Sequence, residues 1–390
     1  MNRYDVVIIG AGVVGLSCAL VCARQGLTVA IVEANTLPAW QADQADLRVY
    51  ALALDNQKLF EQLDVWSEIK AKRINPYHTM TVFDEVNDQP LQFTASELGR
   101  QTLGYIVEHN VLVESLWHQA LLQKNITLLC PDKIQGLTND EKDVEIHLFS
   151  GRVLSAKILI GADGARSKVR ELVGIESNVH DYHQKGLVAF IKTELPHQHT
   201  AWQRFLSTGP LAFLPFTDKV CSIVWTLPNE RAEQLLQIDA ESFCQALDTA
   251  FVRTLGKVEL ISERAVFPLK RQLAKTMMQG RTLLIGDAAH SVHPLAGQGV
   301  NLGLRDVTEL QKFFNHAHAQ QSDLLALNNL QRWARQRYSD NAMAAYVFEN
   351  INRVFSNDQF AMGLIRGHML GFGNRLTPFK NAMARYAAGI

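Results

Sequence analysis

Three separated segments carry residue types that could hold a nucleotide: VVIIGAGVVG at residues 6–15, GADGARS at 161–167, and GDAAH at 286–290 followed by GQGVN at 297–301. In the first, Gly10 permits a tight turn, Gly12 lets the backbone approach a pyrophosphate, and Gly15 lets a helix pack close to its strand. Val14 sits in the same turn. The amides that open the following helix offer unpaired donors and a positive dipole end to phosphates. Glu33, at the end of the next apolar run, is placed to accept hydrogen bonds from ribose hydroxyls and would repel a 2′-phosphate. The segment therefore suits FAD or NAD and disfavours NADP.

The elements that must position these groups are readable around them. Apolar Tyr4–Ile9, a helical stretch Leu16–Gln25 and apolar Leu27–Val32 form a βαβ unit. The middle segment ends the apolar run ILIG (158–161), so Asp163 falls in a turn between strand and helix; it can cap that helix or reach a ligand. The third repeats the arrangement after TLLIG (282–286), with Asp287 expected at the C-terminal end of a central strand, where open α/β sheets bind ligands. Gly286 makes its turn. Gly297, Gln298, Gly299, Val300 and Asn301 form a small-residue loop running into a helix whose amides could stabilise negative charge. Although Gly297, Gly299 and Gly303 imitate a second dinucleotide fingerprint, no strand directly precedes them, so no separate nicotinamide domain is inferred.

Between these segments the pattern changes character. Residues 79–94 alternate as a hairpin with its turn near Asn87 and Asp88, and 105–108 read as a short strand before a helix. Strands are expected at 126–130, 144–148 and 153–160. The runs 186–191, 202–206, 211–216 and 220–225 then form a strand-rich block, followed by a helix over 239–255 and an almost wholly helical last third. The fold class is α/β with an α+β insert: a Rossmann-like nucleotide-binding domain, an inserted mostly antiparallel β-sheet domain and a helical C-terminus. The expected boundaries are 1–75, 100–180 and 262–340 for the discontinuous nucleotide-binding domain, 76–99 and 181–261 for the substrate sheet, and 341–390 for the C-terminal segment.

Composition excludes several classes. The 390 residues are 47% apolar, enough for a sizeable core, and 38 basic against 39 acidic residues leave no global field to attract nucleic acid. Five cysteines without paired C-x-x-C spacing argue for a reduced, cytosolic setting. The first strand starts too close to Met1 for a signal peptide, and no uncharged apolar run reaches the roughly 18 residues of a membrane-spanning helix.

The trio of segments, with RVYAL at 48–52 between them, resembles the single-component FAD-dependent aromatic hydroxylases of the para-hydroxybenzoate hydroxylase fold. The run HPLAGQGVNLGLRD (293–306) is similar to the ubiquinone-biosynthesis hydroxylases of that group, over nearly the whole chain. The resemblance implies that Gly10, Gly12, Gly15 and Glu33 hold the ADP half of FAD and that Arg48 lies near the flavin and its phosphates. It further implies that Asp163 belongs to a motif shared for FAD and NAD(P)H, that Asp287 binds the ribityl or pyrophosphate region, and that Gly297 through Asn301 line the isoalloxazine ring. NAD(P)H would reduce FAD, O2 would add to give a C4a-hydroperoxide, and the electron-rich ring of a polyprenylated phenol or quinol would attack it. No side-chain acid or base is then needed, but water must be kept out. One departure stands at EHN (108–110), where relatives more often read ENR.

The expected substrate wall is the strand LAFLPF (211–216), with Phe213 and Pro215 facing Pro294 and the His293 loop; the alternative is an ordinary core strand. Spacing gives His290 and His293 no third metal ligand, so a structural or flavin-adjacent role is expected and no metal. His197 and His199 read as solvated surface. Arg332, Arg335 and Arg337 read as a solvated helix face, or as a contact for anionic lipid. The glycine-broken tail 363–379 reads as a cap on the flavin domain or as a docking surface. Expected partners are thus a hydrophobic aromatic small molecule and O2, with peripheral contact to the inner membrane or a ubiquinone-biosynthesis complex. The rival readings are a monooxygenase of the same fold acting on a small soluble aromatic, and a flavin-dependent reductase.

Overall fold

A computed structural model describes residues 2–36, 39–85, 90–139, 142–292 and 298–355. The expected βαβ unit is present as β1 (Asn2–Ile9), α1 (Val13–Arg24) and β2 (Val29–Val32). Then follow β3 (Val49–Ala53), α2 (Leu54–Gln62), α3 (Trp66–Ala71), β4 (Ile74–Tyr77), β5 (Thr79–Asp84), β6 (Leu91–Thr94), β7 (Gly104–Glu108) and α4 (His109–Leu121). The middle of the chain supplies β8 (Ile126–Leu129), β9 (Ile134–Asn139), β10 (Val144–Leu148), β11 (Val153–Gly161) and α5 (Lys168–Leu172). The strand-rich block is β12 (Ser177–Thr193), β13 (Thr200–Leu206), β14 (Gly209–Thr217) and β15 (Val220–Pro228), with α6 (Asn229–Gln237) and α7 (Ala240–Ala250) after it. Strands β16 (Val258–Leu260), β17 (Ala265–Ala274), β18 (Met278–Gln279), β19 (Thr282–Leu284) and β20 (His290–Ser291) precede α8 (Gln298–Ala319) and α9 (Leu327–Phe355).

Two large sheets divide the work. The first runs β18-β19-β11-β1-β2-β8, with β10 and β9 attached to β11. Strand β1 pairs in parallel with β11 and β2, and β11 in parallel with β19, so their C-terminal ends share one edge. Strands buried on both faces read as continuous apolar runs, as Val6–Ile9 and Val29–Val32 do. The second sheet runs β20-β17-β12-β15-β14-β13-β5-β6, antiparallel except where β13 meets β5. A third, three-stranded sheet runs β3-β7-β4.

Three expectations shift. Strand β19 is flanked on one side only by the two-residue β18, so Asp287 follows a strand near the sheet's margin rather than a central one. The second sheet includes β12 from Ser177 and β17 to Ala274, past the boundaries expected at 181 and 261. The helix expected over 239–255 ends at Ala250. The hairpin over 79–94 forms with the expected pairing; its turn at Asn87 and Asp88 lies outside the described residues.

Period-two alternation fixes what each face of the second sheet does. Leu187, Ala189, Leu211, Phe213, Ile223 and Trp225 point to a core closed by Leu235 of α6 and Phe243 and Leu247 of α7. Their neighbours in sequence point the other way, into a cavity.

Candidate functional site

The cavity, of about 1230 Å³, runs from the glycine loop after β1 to the open face of the second sheet. That exceeds the usual 300–1,000 Å³ range of ligand pockets, and suits a large cofactor with a second molecule beside it.

Each glycine of the first segment has a separate physical reason. Gly10 has φ +106°, and a Cβ there would meet the Ala162 carbonyl oxygen at 2.4 Å. At Gly15 a Cβ would lie 2.0 Å from the Gly10 oxygen, so this glycine serves the packing of α1 on the loop. A Cβ on Gly12 would meet nothing within 4 Å. It would project into space at the head of α1, where no side chain caps the helix, and that space is the one a phosphate group would need. Glu33 lines the cavity and also ties the loop down, accepting the Ala11 and Asn35 amides at 2.8 and 2.9 Å.

Asp163 lines the cavity too, but its carboxylate accepts the Lys168 and Val169 amides at 2.7 and 3.1 Å and the Ser167 hydroxyl. Both oxygens are thus engaged at the start of α5, beside its N-cap Ser167.

Asp287, by contrast, faces the cavity beside Arg48. Burial pushes its carboxyl upward, against the pull of His290 and Arg48. The Arg48 guanidinium lies 5.5 Å from the Tyr50 ring centre, and the Tyr50 hydroxyl meets Nδ1 of His109 at 3.1 Å. Burial, with Arg48 nearby, lowers His109 to about 4, so its ring is neutral near pH 7. The departure at EHN thus places a neutral imidazole on the cavity wall. Neither Tyr50 nor His109 was marked as a site residue by spacing; only the RVYAL and EHN segments pointed toward them.

The loop of the third segment is held from behind. Gly286 has φ +59°, and Gly299 and Val300 at the start of α8 line the cavity. Val14 also lines it and packs against Gly286 and Gly303: a Cβ on Gly303 would lie 2.7 Å from Val14 Cγ2, which makes Gly303 a helix-packing residue rather than part of a second fingerprint. Asn301 differs from the expectation. It is fully buried away from the cavity, accepting the Ala53 amide at 3.0 Å and the Asn56 amide group at 2.8 Å, and donating to the Ala51 carbonyl at 2.8 Å. Its amide pins α8 to β3. Gln298 opens α8, and Gly297, His293, Pro294 and the tail 363–379 lie outside the described residues.

The strand expected to form the substrate wall faces the cavity in the opposite phase. Pro210, Ala212 and Leu214 of β14 line the cavity, with Ser222, Val224 and Thr226 of β15 beside them. Phe213 is buried on the other face, its ring 3.9 Å from that of Phe251, and Pro215 shares its parity. The bulkier apolar set went to the helix-covered core. That size difference, Cys221-Ile223-Trp225 against Ser222-Val224-Thr226, is the signal that separates the faces. Phe267 and Leu269 of β17, Met80 and Trp202 complete the wall and carried no recognisable motif.

Two surface readings are corrected. His197 is 3% exposed, its Nδ1 accepting the His199 amide at 3.1 Å, and burial lowers its ring to about 4. Arg337 is 5% exposed and bonded to Asp306, while Arg332 and Arg335 remain exposed. His290 is buried against Asp306, and no group of three or more metal-ligating side chains occurs among the described residues. None of the described helices is long and apolar enough to cross a membrane.

The profile of the FAD binding domain family matches residues 3–335. The chain is 33% identical over 387 residues to 3-demethoxyubiquinol 3-hydroxylase of Escherichia coli (strain K12), covering 99% of this chain and 98% of that protein. It is 32% identical to the ubiquinone hydroxylase UbiL of Rhodospirillum rubrum, covering 99% of this chain and 89% of the relative. Among solved structures, Klebsiella pneumoniae HpxO complexed with FAD and uric acid superposes with a TM-score of 0.75 at 16% identity, covering 98% and 96% of the two chains. The open space at Gly12 and Gly299 and the cation at Arg48 fit such a dinucleotide.

Proposed function

The chain belongs to the FAD binding domain family that includes the ubiquinone-biosynthesis hydroxylases, and on that premise we propose that it hydroxylates the aromatic ring of a polyprenylated phenol or quinol. One observation carries the reading: a single cavity joins a dinucleotide cradle to an apolar sheet face. When bound, FAD reduced by NAD(P)H would activate O2, chemistry that no side chain can supply. Gly12, Glu33, Arg48, Asp287, Gly299 and Val300 are the residues that would hold it.

The chain's own contribution is positioning and exclusion of water. Arg48 presents a cation to the phosphates or to negative charge on the flavin ring. Ala212, Leu214, Val224 and Leu269 offer the ring of the substrate an apolar surface, edged by the Ser222 and Thr226 hydroxyls. At neutral pH the imidazole of His109 is neutral and the Tyr50 hydroxyl, which burial pushes upward, stays protonated. A prenyl tail partitions into a bilayer, so the enzyme would draw its substrate from a membrane surface or from a carrier.

The test uses the purified yellow protein, following NAD(P)H oxidation and peroxide release with short-chain prenylphenols and with the same phenols lacking the prenyl group. Prenylphenol-stimulated turnover with little peroxide is the expected result. Equal stimulation by the unprenylated phenols would favour a small soluble substrate, and reduction of an isoprenoid double bond would favour a reductase.

A further inference from the structure

Behind the loop that carries Asp287 lies a buried ionic cluster that the proposed reaction does not use. Asp306 of α8 has no exposed surface, and His290, Arg337 and Asn341 around it are 5% exposed or less. Its Oδ2 accepts the Gly286 amide at 3.0 Å and meets Nε2 of His290 at 2.6 Å. Its Oδ1 accepts from Nε of Arg337 and Nδ2 of Asn341, each at 3.0 Å. Nη2 of Arg337 donates in turn to Oδ1 of Asn341 at 2.9 Å. One carboxylate therefore joins three parts of the chain: the third glycine segment, α8 and α9.

Stability alone is a weak reason for such a cluster. A buried ion pair roughly breaks even against well-packed apolar side chains, because two charges must first be taken out of water. What apolar packing cannot do is set direction. Hydrogen bonds fix the Gly286 peptide, whose φ of +59° lies in the left-handed region, and the His290 ring on the far side of Asp287. Nη1 of Arg170 adds a third hold, donating to the Ala288 carbonyl at 2.7 Å. The two residues next to Asp287 are thus both tied to the protein, while Asp287 itself faces the cavity.

We propose that Asp306 is a positioning residue for the cofactor: held by Arg337 and Asn341, it grips Gly286 and His290 and so sets the direction in which Asp287 meets FAD. The proposal rests on the reading that the cavity holds FAD. It makes α9, which does not contribute to the cavity wall among the described residues, a determinant of flavin affinity through Arg337.

The experiment titrates FAD into the full-length protein after removal of its flavin, for wild type, Asp306→Asn and Arg337→Met, and records the heat-unfolding midpoint of each flavin-free protein. Asparagine keeps the size but cannot accept all four bonds; methionine removes one partner and leaves Asp306 in place. The expected result is an FAD Kd raised at least tenfold in D306N and at least threefold in R337M, with a shifted flavin absorption band. A Kd within threefold of wild type in both, however far the flavin-free midpoint falls, would overturn the proposal and leave the cluster a purely structural brace. If D306N does not yield folded protein, R337M decides at the same threefold threshold. Wild-type protein that binds no FAD would contradict the cofactor reading beneath the proposal, a result distinct from unchanged affinity in the variants.

Discussion

The two halves of this molecule build their shares of one cavity by opposite means. In the nucleotide-binding half, groups such as Gly12, Asp287 and Gly299 face the cavity from loops at strand ends and helix starts. In the other half they are alternate side chains along the strands themselves, Ala212 and Leu214 on β14 and Ser222 and Val224 on β15. Loop sites depend on backbone conformation, which glycine spacing encodes directly. Sheet-face sites depend on parity, which a run of apolar residues such as LAFLPF leaves undecided between two faces.

The largest expected effects break the loop side of this comparison. Gly15→Ala puts a Cβ 2.0 Å from the Gly10 backbone oxygen and 3.3 Å from Ala162 Cβ, and should cost more than about 4 kcal/mol or prevent folding. The Cβ that Gly12→Val adds meets nothing within 4 Å, so the variant should fold with a near-normal melting midpoint while losing its flavin. Thermal melts together with the flavin content of purified protein separate the two outcomes. A Gly12→Val protein that keeps a full complement of FAD would place the cradle elsewhere.

On the sheet side, adjacent residues should behave in opposite ways. Phe213→Ala empties a site packed against Phe251 and should cost about 3–5 kcal/mol in urea unfolding. Its folded fraction should keep wild-type coupling of NAD(P)H oxidation to hydroxylation. Leu214→Ala should cost far less stability and raise the fraction of oxidation that ends as peroxide. If Phe213→Ala uncouples and Leu214→Ala does not, the assignment of faces is reversed.

The smallest effect concerns pH. His109 in the nucleotide-binding half and His197 in the sheet half are both lowered to about 4, chiefly by burial, with Arg48 and His199 as the second causes. Each favours its neutral form in the folded state, so its stabilisation is complete above the unfolded value near 6.5 and is lost as pH falls toward 4. Between pH 7.5 and 5 each should account for about 2 kcal/mol of lost stability. His109→Asn and His197→Asn should each flatten that acid limb in urea unfolding by a similar amount. An unchanged limb in either variant would mean that its ring is hydrated in the folded protein.

Much of the loop half is legible in the sequence. The βαβ unit, the tight turn at Gly10 and the close helix packing at Gly15 follow from local spacing, as does the placing of Gly12 and Asp287 on the cavity. Side chains whose partners lie far away in sequence are not. Asn301 reads as a ligand for a ring until Ala51, Ala53 and Asn56 appear around it. Arg337 reads as solvated until Asp306 meets it. His197 sits in a polar loop and is nonetheless covered. In each case the residue type was consistent with two environments, and only tertiary packing chose between them.

The central claim is that FAD and an apolar aromatic substrate meet in one cavity and that oxygen passes from O2 to the ring. The most direct measurement is turnover of a short-chain prenylphenol by the purified flavoprotein with NAD(P)H under ¹⁸O₂, followed by mass analysis of the product. The account predicts a hydroxylated ring carrying one labelled oxygen atom. A product whose new oxygen comes from water, or complete reductant consumption as peroxide with no hydroxylated product, would contradict it.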